Sequence, residues 1–329
     1  MATNGAVQED AADQERRAAR SRRLILGALA LVPLATVPAQ AAMSPPVPAA
    51  ALRHATIDLG DQSVRVQVGP AGVWAIATDS SFVQRIDPRS NEPLGPRINL
   101  PERAASVTVD LRGIWVTRYV DTTFTTLERI RLARASGAQI GEPEPVPGPQ
   151  PDKDGKFHAL LPLGWEIETT DDFHDFPVAV RRDFYDAELQ RVTLGVNYVT
   201  STAVDHLGVL WVGGYPSARR VRPGAEHAEA VIPAARQGAI AVGQNAAWLV
   251  GQSARGLGDG DVTLTKRLFR VDLRTGRQVG KPLTLGSVVQ RRGAYDRDIA
   301  VNRISIGKSS AWISGPTPGT LTRVYLARR

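Results

Sequence analysis

Beyond the first fifty residues the chain is written in short runs in which apolar and polar side chains alternate: Ser63-Val64-Arg65-Val66-Gln67-Val68, Ser106-Val107-Thr108-Val109 and Arg303-Ile304-Ser305-Ile306 are examples. A period of two turns one face of a strand to a core and the other away from it, so these runs predict strands. No helical period of comparable persistence is visible after residue 50. A tryptophan follows most of the runs, behind a small residue or a small-plus-aliphatic pair: Gly72-Val73-Trp74, Gly113-Ile114-Trp115 and Gly164-Trp165, with Trp211, Trp248 and Trp312 keeping the rhythm.

A second motif lies downstream of the tryptophan. Arg85-Ile86-Asp87-Pro88-Arg89-Ser90-Asn91 leads to Leu94-Gly95 and Ile98-Asn99-Leu100, and Arg270-Val271-Asp272-Leu273-Arg274-Thr275-Gly276 leads to Val279-Gly280 and Leu283-Thr284-Leu285 at the same offsets. Behind Trp115 the echo is Arg129-Ile130-Arg131-Leu132 with Gly137 and Ile140-Gly141. A strand that ends on Asn or Gly, which tolerate a positive φ, turns tightly and returns as a short outer strand. Each unit is therefore four short antiparallel strands, and such a sheet buries its faces only by stacking on copies of itself around an axis.

Six units of about 46 residues account for the chain after its first fifty residues. The fold class expected is all-β, a six-bladed β-propeller. Five or seven blades are the alternatives, because Phe157 to Leu161, Trp165 to Thr169, Pro177 to Phe184 and Gln190 to Leu194 fit four strands only loosely. The last unit stops at its third strand, Leu321-Thr322-Arg323-Val324-Tyr325-Leu326, while Ala55-Thr56-Ile57-Asp58-Leu59-Gly60 stands alone at the other end. Joining the two closes the ring and removes an exposed edge. The six tryptophans read as wedges between blades.

The first forty residues belong to a different category. Ser21-Arg22-Arg23-Leu24-Ile25-Leu26 has the form of a twin-arginine export motif, followed by an apolar run to Val37 and by Ala39-Gln40-Ala41, an A-x-A cleavage pattern. The expected organisation is a signal peptide over 1–41, a Pro/Ala-rich leader over 42–53 and the propeller over 54–329, in an exported protein of the cell envelope or the exterior. Pro33, Pro38 and the Ala-rich composition shorten the apolar helix, so an uncleaved signal is the one expected route to a membrane. The absence of cysteine excludes disulfides, thiolate metal sites and a lipidated N-terminus.

The formal charge is +7, carried mostly by scattered arginines without a basic run. Scatter of this kind describes a solvated surface rather than a nucleic-acid footprint. A monomer without nucleic acid is expected, with a cell-envelope glycan, peptide or protein as partner.

The strand-Gly-x-Trp and Arg-Val-Asp-x-x-Thr-Gly rhythm, as in Gly72-Val73-Trp74 and Arg270 to Gly276, resembles bacterial propellers of the virginiamycin B lyase-like, YVTN and quinoprotein-like group over residues 52 to 329. What the resemblance implies is a fold, since that ring hosts enzymes, sensors and scaffolds. The lyase of the group uses histidine and glutamate with a divalent metal in its late blades. Here the histidines are His54, His158, His174, His206 and His227, none of them late, so the lyase reaction is not expected.

In a propeller, the second-to-third-strand loops and the blade-to-blade loops open on one face. The insertions Thr169 to Phe176, Gly251 to Val262, Gly148 to Lys156 and Gly286 to Asn302 all fall in such loops, so that face is the expected site. Asp171, Asp172, His174 and Asp175 bring carboxylates and an imidazole together, a donor set suited to calcium, magnesium or manganese or to acid–base work. Glu166 and Glu168 share one face of the preceding strand and, with His174, are the candidate catalytic groups. Arg291, Arg292, Tyr295 and Arg297 would form a lid that forks onto a carboxylate or phosphate. Tyr119, Tyr215 and Phe124 would stack on a ring. Gly256 to Gly260 and Gly307-Lys308-Ser309 lack the strand-to-helix setting of nucleotide loops, and no G-x-S-x-G elbow exists. The function expected is a non-catalytic binding propeller; the alternative is a metal-assisted lyase or lactone hydrolase on the loop-rich face.

Overall fold

The computed structural model describes residues 49, 52–60, 64–77, 79–121, 126–146, 157–169, 176–185, 187–232, 236–258, 261–290, 303–315, 317 and 319–326. In chain order they form β1 (His54–Asp58); β2 to β5 (Val64–Gly69, Gly72–Ala77, Phe82–Ile86, Ile98–Asn99); and β6 to β9 (Ala104–Val109, Ile114–Tyr119, Leu127–Leu132, Glu144–Val146). Next come β10 to β13 (Phe157–Leu160, Trp165–Thr169, Val178–Arg182, Glu188–Thr193) and β14 to β17 (Tyr198–Val204, Leu210–Tyr215, Arg219–Val221, Glu229–Ala230). The remainder are β18 to β21 (Arg236–Gly243, Ala246–Gly258, Asp261–Asp272, Leu283–Gln290) and β22 to β24 (Ile304–Ile306, Ser310–Ser314, Thr320–Tyr325).

These strands pair into six antiparallel four-stranded sheets, five of them built from consecutive strands and the sixth in the order β22-β23-β24-β1. The protein is a six-bladed propeller whose last blade is completed by the first strand. All five residues of β1 are in register with β24, from His54 opposite Val324 to Asp58 opposite Thr320. The third blade, loosely patterned in sequence, has its full complement β10-β11-β12-β13. Its irregularity is local: a turn over Pro162–Gly164 with Leu163 at φ 60°, and a register shift between Arg181 and Arg182.

Packing between blades follows the alternation along the strands. Trp74, Ile76 and Val83 of the first blade bury against Val107, Ile114 and Val116 of the second. Trp165 and Ile167 of the third pack on Leu210 and Val212 of the fourth, and Trp211 meets Ile240, Leu249 and Phe269 of the fifth. Trp248 and Leu268 meet Ala311 and Ile313 of the sixth, with Ala49 and Leu52 in the same cluster. Trp312, Ile57, Leu59 and Leu321 meet Val73, Ala75 and Ile86, closing the ring. Trp74, Trp165, Trp211, Trp248 and Trp312 are each at most 2% exposed, as the wedge reading requires. Trp115 departs from it. It is half-buried, and no apolar cluster among the described residues joins the second blade to the third.

Each tryptophan stands directly opposite an arginine on the third strand of its blade: Arg85, Arg131, Arg181, Arg220, Arg270 and Arg323 in turn. In four blades the guanidinium also lies over the indole, 5.6 Å from Trp115 and Trp211, 5.5 Å from Trp248 and 5.0 Å from Trp312, a cation–π arrangement. Two of these arginines reach the next blade. Arg220 donates to the carbonyls of Leu273 and Arg274, and Arg323 to those of Pro88 and the Asn91 side chain. The receiving turns carry a left-handed residue, Gly276 at φ 69° or Asn91 at φ 66°. A Cβ at Gly276 would stand 2.6 Å from the Arg220 guanidinium, so here glycine serves the backbone and the contact together.

The expected loops Gly251 to Val262 and Gly286 to Asn302 are corrected in part. β19 and β20 run for 13 and 12 residues and pair from Ala246 opposite Asp272 out to Gly258 opposite Asp261, and β21 continues alongside to Gln290. The reason is in the residues: Val262-Thr263-Leu264-Thr265 and Ser287-Val288-Val289 are β-branched and alternating, so the hairpin extends as sheet. Residues 291–302 lie outside the described residues.

Lys266, in this long hairpin, is 2% exposed, and its ammonium donates to the carbonyls of Ser314 (3.0 Å) and Gly315 (2.7 Å) of the sixth blade. Burial pushes its pKa down to about 7. An unfolded lysine titrates near 10.4, so between these values the unfolded chain holds more protons and stability rises with pH, by at most about 1.4 kcal/mol per unit. Below pH 7 both states are protonated and the lysine contributes no slope. Urea midpoints measured at pH 7, 8 and 9 should climb in the wild type and flatten in Lys266→Met; equal slopes in the two proteins would remove the lysine from the account.

Candidate functional site

The inner strands β2, β6, β10, β14, β18 and β22 line the axis, and each begins at the loop-rich face. Tyr198 opens β14 and Tyr215 closes β15, directly opposite each other, with their rings stacked at 5.9 Å and 6°. Below them a cavity of about 310 Å³ lies between the third and fourth blades, lined by Ala159, Ile167, Thr169 and the run Val199-Thr200-Ser201-Thr202. That volume is at the lower end of small-ligand pockets. A bulge between Val199 and Ser201 gives β14 its extra residue at this wall. Thr200 Oγ1 donates to the Gly238 carbonyl and Ser201 Oγ accepts from the Ile240 amide, so the wall is tied to the fifth blade. Gly213 permits the closeness, since a Cβ there would stand 2.2 Å from the Gly238 oxygen.

Two arginines reach the axis beside this wall. Arg303, just before β22, donates to the Thr200 carbonyl, crossing past the fifth blade to do so. Arg65 of β2 donates to the Val107 carbonyl at 3.3 Å. Burial, and then the neighbouring Arg303 charge, hold the Arg65 guanidinium below its ordinary pKa.

Glu166 and Glu168 share a face of β11 as the alternation requires, and both are buried, at 5% and 4% exposure. Their oxygens are held by arginine. Arg182 donates to Glu166 at 2.9 Å, and Arg191 forks onto Glu168 at 2.7 and 3.0 Å while also bonding Glu188. Arginines of the same blade thus hold each buried carboxylate, as burial of a charge requires. Tyr119 ends β7 at the loop-rich face, half-buried, and Tyr215 takes part in the tyrosine stack. Asp171, Asp172, His174, Asp175, Phe124, Arg291, Arg292, Tyr295 and Arg297 all lie outside the described residues, and the metal and lid readings lie there with them. Among the described residues no group of three or more His, Asp or Glu side chains is placed to hold a metal ion.

Arg65, Arg303, Tyr198 and the Thr200 wall were not singled out by the sequence reading. Their signal was there. Arg65 is a polar position of an alternating inner strand, and Arg303 occupies the residue before the equivalent strand five blades on.

No protein-family model matches the chain, and no curated protein matches it. Among solved structures it is similar to a glucose dehydrogenase at 11% identity and TM-score 0.40, covering 82% of this chain and 98% of that one. It is similar to the soluble aldose sugar dehydrogenase of Escherichia coli at 12% and 0.39, covering 84% and 100%. With the dihydro-heme d1 dehydrogenase NirN the figures are 14% and 0.32, covering 85% of this chain and 61% of that one, so the chain spans less than two thirds of NirN. Likeness at this level carries no argument about activity; the propeller rests on its own strand pairing.

Proposed function

We propose that the chain is an exported propeller that binds a small polar ligand, or the polar end of a cell-envelope glycan or peptide, at the loop-rich mouth of its axis. The observation that carries this reading is the 310 Å³ cavity between the third and fourth blades, with hydroxyl-bearing Thr169, Thr200, Ser201 and Thr202 in its wall and the Tyr198–Tyr215 stack on the adjoining strand pair. Hydroxyls and backbone groups around an apolar floor orient a ligand without demanding a reaction. The address outside the cytoplasm rests on Ser21-Arg22-Arg23-Leu24 and the Ala39-Gln40-Ala41 pattern. Kinship with virginiamycin B lyase-like propellers enters only through the blade motif.

One experiment addresses both halves. The whole chain is expressed with its leader in a host possessing a twin-arginine pathway, recovered from the exported fraction, and screened by thermal shift against mono- and disaccharides, muropeptides and short peptides. At least one class should raise the melting temperature of the wild type by several degrees and leave an Ala159→Trp/Thr202→Leu variant, whose cavity is filled, unmoved. Retention in the cytoplasm would overturn the address. Absence of any shift, or an equal shift in the filled variant, would overturn the site.

A further inference from the structure

Two arginines at the axis have no acidic partner among the described residues. Arg65 comes from the innermost strand of the first blade and Arg303 from the start of the innermost strand of the sixth. Among the described residues no carboxylate pairs with either. Arg118, Arg129, Arg182, Arg191 and Arg220 each have a glutamate, whereas Arg65 and Arg303, like Arg219 and Arg323, bond uncharged oxygens.

The geometry of Arg65 adds a second observation. Its Nη2 reaches the Val107 carbonyl, but its Nε is buried and has no acceptor. A guanidinium N–H withdrawn from water without an acceptor costs free energy, a cost that Arg65 shares with Arg181 and Arg219. Arg303 is held by the Thr200 carbonyl, and Thr200 is part of the cavity wall. Burial first, and then the Arg303 charge, push the Arg65 pKa down.

We propose that the mouth of the axis between β2, β14 and β22 is an anion site, taking a small ligand that carries a carboxylate or phosphate group. The Nη1 of Arg65 and the remaining donors of Arg303 bond the anion, while the body of the ligand occupies the cavity behind Thr200. This rests on the cavity reading given above and names the ligand class for it. A planar, always-charged guanidinium suits an oxyanion with two acceptors, whereas the hydroxyls of Thr200 and Ser201 on their own would not select charge.

The test uses the mature, full-length chain at low ionic strength, with inorganic phosphate, succinate and citrate as probes and chloride at matched ionic strength as reference. In the wild type the probes should raise the melting temperature by several degrees beyond chloride. Arg65→Gln should melt no lower than wild type without probe, because one of two repelling charges is gone, and should lose the response. Arg303→Gln should lose the response as well, and Arg65→Lys should keep a reduced one; Arg89→Gln, in an exposed turn, should keep all of it. Succinate and citrate acting without phosphate would assign a carboxylate ligand, and the reverse a phosphorylated one. A wild type that responds to the probes no more than to chloride, or a response unchanged in both Arg65→Gln and Arg303→Gln, would overturn the proposal. The cavity reading fails separately: neutral ligands blocked by Ala159→Trp with no anion effect would leave the pocket and remove the anion.

Discussion

Deleting residues 42–60 should yield a protein with no cooperative unfolding transition, recovered mainly as aggregate, whereas deleting 42–48 should be tolerated. The contrast isolates the closing strand. β1 satisfies the full length of β24, and the Leu59 amide and the Tyr325 amide extend the pairing through Gly319 and Arg53. Ile57 and Leu59, each 4% exposed, join Trp312 and Leu321 in the sixth blade's seam with the first, and Leu52 and Ala49 are buried in the seam before it. Losing three buried aliphatic side chains at about 1.5 to 3 kcal/mol each approaches the 5 to 15 kcal/mol that holds a typical domain together. The deletion would also leave β24 as an unpaired edge beside uncovered Leu321 and Val324, the arrangement most prone to edge-to-edge association. Size-exclusion chromatography and thermal unfolding followed by near-ultraviolet circular dichroism read both deletions. A soluble monomer with a sharp transition after loss of 42–60 would show that the ring holds without its clasp.

The clasp was legible because it is a matter of counting: a repeat that ends one strand short and begins with one strand extra has a single economical solution. Blade number was legible for the same reason, through the recurrence of Trp and of Arg-Ile-Asp at fixed offsets. What the pattern did not reveal was which partner each conserved-looking position meets. The arginine of the downstream motif was visible in sequence, but its place opposite the tryptophan depends on cross-strand register, which alternation alone leaves free by any even shift. In sequence the long hairpin of the fifth blade reads as loop because Gly256, Gly258 and Gly260 dominate its tip, while the flanking Thr263 to Thr265 and Ser287 to Val289 decide its length. The axial site escaped for a different reason. Arg65 and Arg303 lie 238 positions apart in the numbering of the chain, and only closure of the ring brings blades one and six side by side.

The register also exposes an inequality among the seams. In the second blade, Val107, Val109, Ile114 and Val116 face the first blade, so Ser106, Thr108, Trp115 and Thr117 must face the third. In the third blade, Trp165 and Ile167 face the fourth, so Glu166 and Glu168 must face the second. Among the described residues this seam is therefore mainly polar and charged, with Leu127 and Val180 as its buried aliphatic side chains, where every other pair of blades shares an apolar cluster. Arg182 and Arg191 of their own blade hold the glutamates, and a buried ion pair roughly offsets its own desolvation.

Truncating tryptophan should therefore cost different amounts around the ring. Trp211→Ala removes a side chain with no exposed surface from a cluster of aliphatic and aromatic neighbours and should cost about 3 to 5 kcal/mol. Trp115→Ala removes a half-buried ring whose neighbours are Arg129 and Arg131, at 5.3 and 5.6 Å, and should cost about 1 kcal/mol or less. Urea denaturation gives both values directly. Amide hydrogen exchange gives the corresponding local picture: β7 and β10, on the two sides of the polar seam, should open at lower free energy than β15 and β18, because sub-global opening starts where the fewest apolar contacts are broken. Equal costs at Trp115 and Trp211, with equal protection of the two strand pairs, would mean that the seam between the second and third blades is as strong as the rest. Unequal costs would make it the place where this ring, clasped in its sixth blade by β1, gives way first.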